Sequence, residues 1–202
     1  MQSWANSGHR VKESKWYGQM NVPRELSIRN GRLVQMPVKE LENYRGRVVN
    51  YENVVIQEET SLPGICGRVL DMTITLQPEQ GKNLCDFTVK LAKNEKYQTL
   101  ICYNAKKQTI QVDRSASGFD WDMVHSRTFY VCPQEGQLKL RILMDKNSLE
   151  LFVNDGEQAA SFLLFTPIEV DGITFEAEDK VRMNVQKYDL IFGEERNGEK
   201  TL

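Results

Sequence analysis

Residues 138–156 read Leu138-Lys139-Leu140-Arg141-Ile142-Leu143-Met144-Asp145-Lys146-Asn147-Ser148-Leu149-Glu150-Leu151-Phe152-Val153-Asn154-Asp155-Gly156. Leu138, Leu140, Ile142 and Met144 recur at every second position with Lys139 and Arg141 between them, the pattern of a strand that buries one face. A turn at Asp145-Lys146-Asn147-Ser148 leads into a second strand, Leu149-Glu150-Leu151-Phe152-Val153. Asn154-Asp155-Gly156 ends it, and the Asp-Gly pair suits the positive φ angles of a tight hairpin. Ala160-Ser161-Phe162-Leu163-Leu164-Phe165 then runs as a third strand to Pro167, and Val181-Arg182-Met183-Asn184-Val185 leads as a last one to Tyr188-Asp189-Leu190. Read in order, these strands make a meander.

The same alternation extends upstream. Leu70, Met72, Ile74 and Leu76 share one face while Asp71, Thr73 and Thr75 share the other; Phe87, Val89 and Leu91 repeat the pattern, as do Ile110 and Val112. Many short strands joined by Gly, Asn, Asp and Pro turns, without intervening helical periods, predict an all-β fold, a two-sheet antiparallel sandwich. One short helix is expected after Met36, because Pro37 suits a first helical position and Val38, Leu41 and Tyr44 or Arg45 fall at helical spacing. The stretch before it has another texture, with Trp4, Trp16 and Tyr17 close together and a hairpin turn at Arg29-Asn30-Gly31-Arg32. A segment of that size cannot make a core of its own, since isolated hairpins are marginal without a partner surface.

Composition narrows the function classes. The 202 residues are 40% hydrophobic and 27% charged with a net charge of -2, an ordinary globular balance without the basic excess that nucleic acid would call for. No apolar run is long enough to span a bilayer, and the start Met1-Gln2-Ser3-Trp4-Ala5-Asn6 lacks signal-peptide features. Cys66, Cys85, Cys102 and Cys132 are irregularly spaced, which argues against a metal site and for buried, reduced thiols in a cytoplasmic setting. No cofactor is expected.

Trp16-Tyr17-Gly18-Gln19-Met20-Asn21-Val22-Pro23-Arg24-Glu25-Leu26-Ser27 resembles the last propeller blade of glycoside hydrolase family 32, the invertases, sucrose-6-phosphate hydrolases and fructan hydrolases; Pro23-Arg24-Glu25-Leu26 is its most specific part. Gly31-Arg32-Leu33-Val34-Gln35-Met36-Pro37-Val38 with Glu40-Leu41 resembles the family's run into its interdomain linker. Asp113-Arg114-Ser115-Ala116-Ser117-Gly118 and the hairpin through Asn154-Asp155-Gly156 resemble its sandwich motifs. The resemblance implies a jelly-roll or lectin-like sandwich at residues 48–193, preceded by a blade remnant at 1–36 and a linker helix at 37–47 and followed by a polar tail at 194–202. It implies as partners the propeller domain of the same polypeptide, a sugar substrate of the parent enzyme and a second copy in a homodimer.

Family members cleave β-fructofuranosides with retention, using acidic residues in Asn-Asp-Pro-Asn-Gly, Glu-Cys and Arg-Asp-Pro motifs, and none of these occurs here. Asn154-Asp155-Gly156 lacks the proline, and no glutamate precedes a cysteine. Retention needs two carboxyl groups about 5 Å apart across the scissile bond, so the chain alone is expected to be inactive, a structural module without catalytic residues.

Other residues bear on that expectation. Glu25 beside Arg24 could serve as an acid, but an arginine fixes a carboxylate as the anion, opposite to what an acid catalyst needs, so an ion pair within the blade between Arg24 and a carboxylate is expected. Asp113 and Arg114 are expected to pair with each other near a sheet edge. Asp120 and Asp122 around Trp121 are read as a solvated loop, and His9 and His125 as ordinary histidines. Trp4, Trp16 and Tyr17 are read as core or interface packing, with stacking of their flat faces on a sugar as the competing role. The competing function for the whole is a free-standing carbohydrate-binding sandwich.

Overall fold

The computed structural model describes residues 19–118 and 124–192. Along the chain lie β1 (Arg24–Arg29), β2 (Arg32–Pro37), a 3-10 helix (Lys39–Tyr44), β3 (Arg45–Ile56), β4 (Leu70–Pro78), β5 (Phe87–Lys93), β6 (Gln98–Asn104), β7 (Thr109–Ala116), β8 (Ser126–Tyr130), β9 (Leu138–Asp145), β10 (Ser148–Val153), β11 (Gln158–Leu163), β12 (Gly172–Ala177) and β13 (Val181–Leu190). The fold is all-β. A six-stranded sheet, β11-β10-β9-β4-β13-β3, and a five-stranded one, β12-β5-β6-β7-β8, carry antiparallel pairs throughout, while β1 and β2 form a separate hairpin.

The alternation read from the sequence decides which side chains meet between the sheets. Leu70, Met72, Ile74 and Leu76 of β4 are fully buried, as are Leu138, Leu140, Ile142 and Met144 of β9. They join Phe87, Val89, Leu91, Ile110, Val112 and Phe175 from the opposing sheet in one cluster, where the Phe87 and Phe175 rings stack with centroids 6.4 Å apart. Burying a side chain of this size stabilises by about 1.5–3 kcal/mol, so this core is the main source of stability.

Several expectations change. The predicted helix is a six-residue 3-10 turn without a side-chain cap, and β3 follows at once from Arg45, inside the stretch expected to be linker. The meander holds for β9, β10 and β11 only. After β11 the chain crosses to the other sheet as β12, then returns as β13 between β4 and β3. Alternation fixes which face a strand buries, not which neighbour it takes. The cysteines are free but not buried cores: Cys66 and Cys132 are exposed, Cys85 and Cys102 intermediate.

Candidate functional site

The outer face of the six-stranded sheet carries polar residues that are nonetheless buried. In β10 every residue is buried, on both faces. Leu149, Leu151 and Val153 enter the core, and Ser148, Glu150 and Phe152 turn outward beneath the β1-β2 hairpin. Arg24 of β1 reaches down to Glu150 at 2.6 Å, bonds the Ser161 hydroxyl and stacks its guanidinium over Phe152 at 5.0 Å. The second Glu150 oxygen accepts the Val22 amide at 2.6 Å. Arg24 is thus ion-paired, but its partner is a sandwich carboxylate 126 positions away and not one within the blade. Glu25, the neighbour, is exposed.

Asn154-Asp155-Gly156 is the socket for the other side of the hairpin. All three have positive φ, 48°, 55° and 88°. The Gln35 amide donates to Gly156 O at 3.0 Å, and Arg29 donates to Asn154 O at 3.0 Å. A Cβ at Gly156 would lie 2.3 Å from Gln35 O, so only glycine lets the β2 backbone approach this closely. The hairpin itself closes through Asn30 and Gly31, φ 51° and 73°, as the Asn-Gly pair predicts. Its Leu26, Ile28 and Leu33 are 64%, 72% and 50% exposed.

Farther along the same face, Asp71 of β4 is 1% exposed and is held between two arginines. Arg45 donates to it at 2.9 and 2.7 Å, and Arg141 at 3.0 and 2.9 Å. Arg45 also lies 4.4 Å over the Tyr188 ring and 3.3 Å from Glu42. Beside this network a groove of about 330 Å³ opens between β3, β13, β4 and β9, closed at one end by Met36 and Phe152. Neither the network nor the groove was read from the sequence; the only signal was charge at outward positions of two separate strands, Asp71 and Arg141.

The remaining candidates lie elsewhere. Asp113 and Arg114 are consecutive on β7 and therefore project to opposite faces. Among the described residues they form no ion pair with each other: Asp113 accepts the Ser115 amide, and buried Arg114 donates to the carbonyls of Leu163 and Val124. Trp4, His9, Trp16, Tyr17, Asp120, Trp121 and Asp122 lie outside the described residues. The Arg114 amide donates to the His125 carbonyl. Among the described residues, no group of three His, Cys, Asp or Glu could hold a metal ion, and no helix is long and apolar enough to cross a membrane.

Two surface carboxylates, Glu59 and Asp179, are held as anions by lysine partners. Hydrogen bonds from Lys90, Lys93 and Thr174 pull Glu59 down from its ordinary 4.5 to about 2, and a hydrogen bond from Lys82 holds Asp179 below the usual range. An acid catalyst requires the opposite shift.

Comparison with known proteins gives this arrangement its context. A family model described as "Glycosyl hydrolases family 32 C terminal" matches residues 40–190. A sucrose-6-phosphate hydrolase of Staphylococcus xylosus is 32% identical over 189 residues, covering 87% of this chain and 35% of the relative. A levanase of Bacillus subtilis (strain 168) is 29% identical over 187 residues, covering 88% and 27%. The chain therefore spans about a third of the length of these relatives. Among solved structures, an exo-inulinase from Aspergillus awamori superposes with a TM-score of 0.78 at 18% identity, covering 94% of this chain and 39% of that one. A sucrose-6-phosphate hydrolase from Lactobacillus gasseri gives 0.68 at 22%, covering 83% and 33%.

Proposed function

This chain belongs to the C-terminal domain family of glycosyl hydrolase family 32, and from that premise we propose that it is the non-catalytic sandwich module of a retaining β-fructofuranoside hydrolase, together with the end of the preceding propeller. Its work is to anchor the last propeller blade. The observation that carries this reading is the unfinished β1-β2 hairpin. It is fixed to the sandwich at its two ends, through Arg24-Glu150 and Gln35-Gly156 at one and Arg29-Asn154 at the other. Leu26, Ile28 and Leu33, which lie on the same pleat face as Arg24, stay exposed on a two-stranded ribbon that is too small to be stable unless it continues into a larger sheet. In the parent enzyme those residues pack against the rest of the blade, and the buried salt bridge fixes the angle between domains.

Sucrose, sucrose 6-phosphate and fructans are the proposed substrates of the parent, in line with the names of the relatives. A cytoplasmic setting is supported by the free cysteines, and homodimerisation is the proposed assembly. The test is direct: the purified 202-residue chain should release no reducing sugar from sucrose, levan or inulin. Residues encoded upstream of Met1 should contain the missing acidic motifs. Turnover by the chain alone would end this reading.

A further inference from the structure

The groove on the outer face of the six-stranded sheet starts at the hairpin joint, where Met36, Phe152 and Asp155 line it, and runs from there across β9, β4, β13 and β3. One row in register crosses five strands: Phe152, Arg141, Thr73, Gln186 and Asn50. Strands about 4.8 Å apart set these groups side by side at an interval close to the width of a sugar ring. The volume of about 330 Å³ lies within the range of small-molecule sites.

What the groove offers is hydrogen bonding without net charge. Lys139 is paired with Asp155 at 2.6 Å, and Arg141 shares Asp71 with Arg45, which also meets Glu42. An anion would find no unmatched cation there. The Thr73 and Thr75 hydroxyls and the Gln186 amide line the opening and have no protein hydrogen-bond partner among the described residues. Arg141 spends Nε and Nη2 on Asp71, which locks the guanidinium in place and leaves Nη1 as a pre-oriented donor. Hydroxyls and amides both donate and accept, as do the hydroxyls of a sugar.

We propose that this groove is a binding site for a neutral, hydroxyl-rich oligosaccharide, and, resting on the reading of the parent as a β-fructofuranosidase, for a short fructosyl chain. Phe152 is 1% exposed and offers no stacking face, so recognition rests on hydrogen bonds and affinity is modest, about millimolar. The site would hold polymeric substrate on the module while the parent's propeller cuts it.

The experiment is a titration of the isotope-labelled 202-residue chain with nystose, and with maltotetraose as a control of equal size, followed by amide chemical shifts. Saturable shifts at Thr73, Arg141 and Gln186 with nystose, at least fivefold weaker for Thr73→Val and Gln186→Leu at unchanged melting temperature, are the expected result. No saturation at tens of millimolar, equal binding of maltotetraose, or variants that bind like the parent chain would each overturn it. Sugar release is followed in the same samples. Hydrolysis would sink the structural-module reading, whereas absence of both hydrolysis and binding would sink the groove alone.

Discussion

Asp71 and Glu150, on the outer face of the six-stranded sheet, are 1% and 2% exposed and are clamped by arginines. On the outer face of the five-stranded sheet the charges stay wet: Glu59 joins Lys90 and Lys93, and Lys90 joins Glu176, with side-chain exposures of 36%, 16%, 29% and 47% for Glu59, Lys90, Lys93 and Glu176. Both networks are satisfied, yet they answer to different physics. Charges taken out of water must be paired or they destabilise by several kcal/mol. Charges left at the surface gain little from pairing because solvent screens them. On the six-stranded face the buried pairs hold the hairpin at Glu150 and tie β3, β4 and β9 together at Asp71; the other face is built for solvent.

The sharpest way to break this contrast is Asp71→Ala. It strands Arg45 and Arg141, whose side chains are 21% and 13% exposed, against the sheet. A loss of about 3 kcal/mol in urea unfolding is expected; a loss below 1 kcal/mol would mean that the buried face is no more sensitive than the wet one.

Arg24→Ala is expected to cost about 2 kcal/mol, less because the hairpin can lift and let water reach Glu150. Its signature is local: amide exchange should quicken in β1 and β2 while the core amides of β4 and β9 keep their protection. Uniform loss of protection would show that the hairpin is integral to the sandwich. Gly156→Ala should act at the same joint by about 1–2 kcal/mol, since alanine there meets both a positive φ of 88° and the Gln35 carbonyl. Here too exchange in β2 reads the effect.

The fold was largely legible because period-two alternation is a property of each strand by itself: β4, β9, β10 and β13 all bury the residues the sequence marks. What escaped was relational. Ser126–Tyr130 is short and weakly alternating; Gly172–Ala177 alternates, burying Ile173, Phe175 and Ala177, but is only six residues long; and β3 is an edge strand with solvent on one side, so Val48 and Val55 stay about half exposed and break the pattern. The return of β13 between β4 and β3 rests on pairings that no local signal encodes. At the site, Arg24 was legible as one half of an ion pair, but Glu150 lies 126 residues away. Asn154-Asp155-Gly156 was legible as a turn, while its use as a socket depends on where Gln35 arrives.

The smallest expected effect lies on the wet face and has a defined pH dependence. Hydrogen bonds from Lys90, Lys93 and Thr174 bring Glu59 to about 2, below its ordinary 4.5. Because the folded value is depressed, the stabilisation is present in full above the unfolded pKa and disappears as pH falls from about 4.5 toward 2. Free energy from a shift of that size must be discounted strongly for a side chain 36% exposed. Glu59→Gln should therefore destabilise by no more than about 1 kcal/mol at neutral pH. The difference from the parent chain should vanish near pH 2 and shrink in high salt, where screening falls within a few ångströms. Asp71→Ala should keep most of its effect in the same salt, since its ion pairs exclude water. Equal salt sensitivity of the two variants would erase the distinction between the faces.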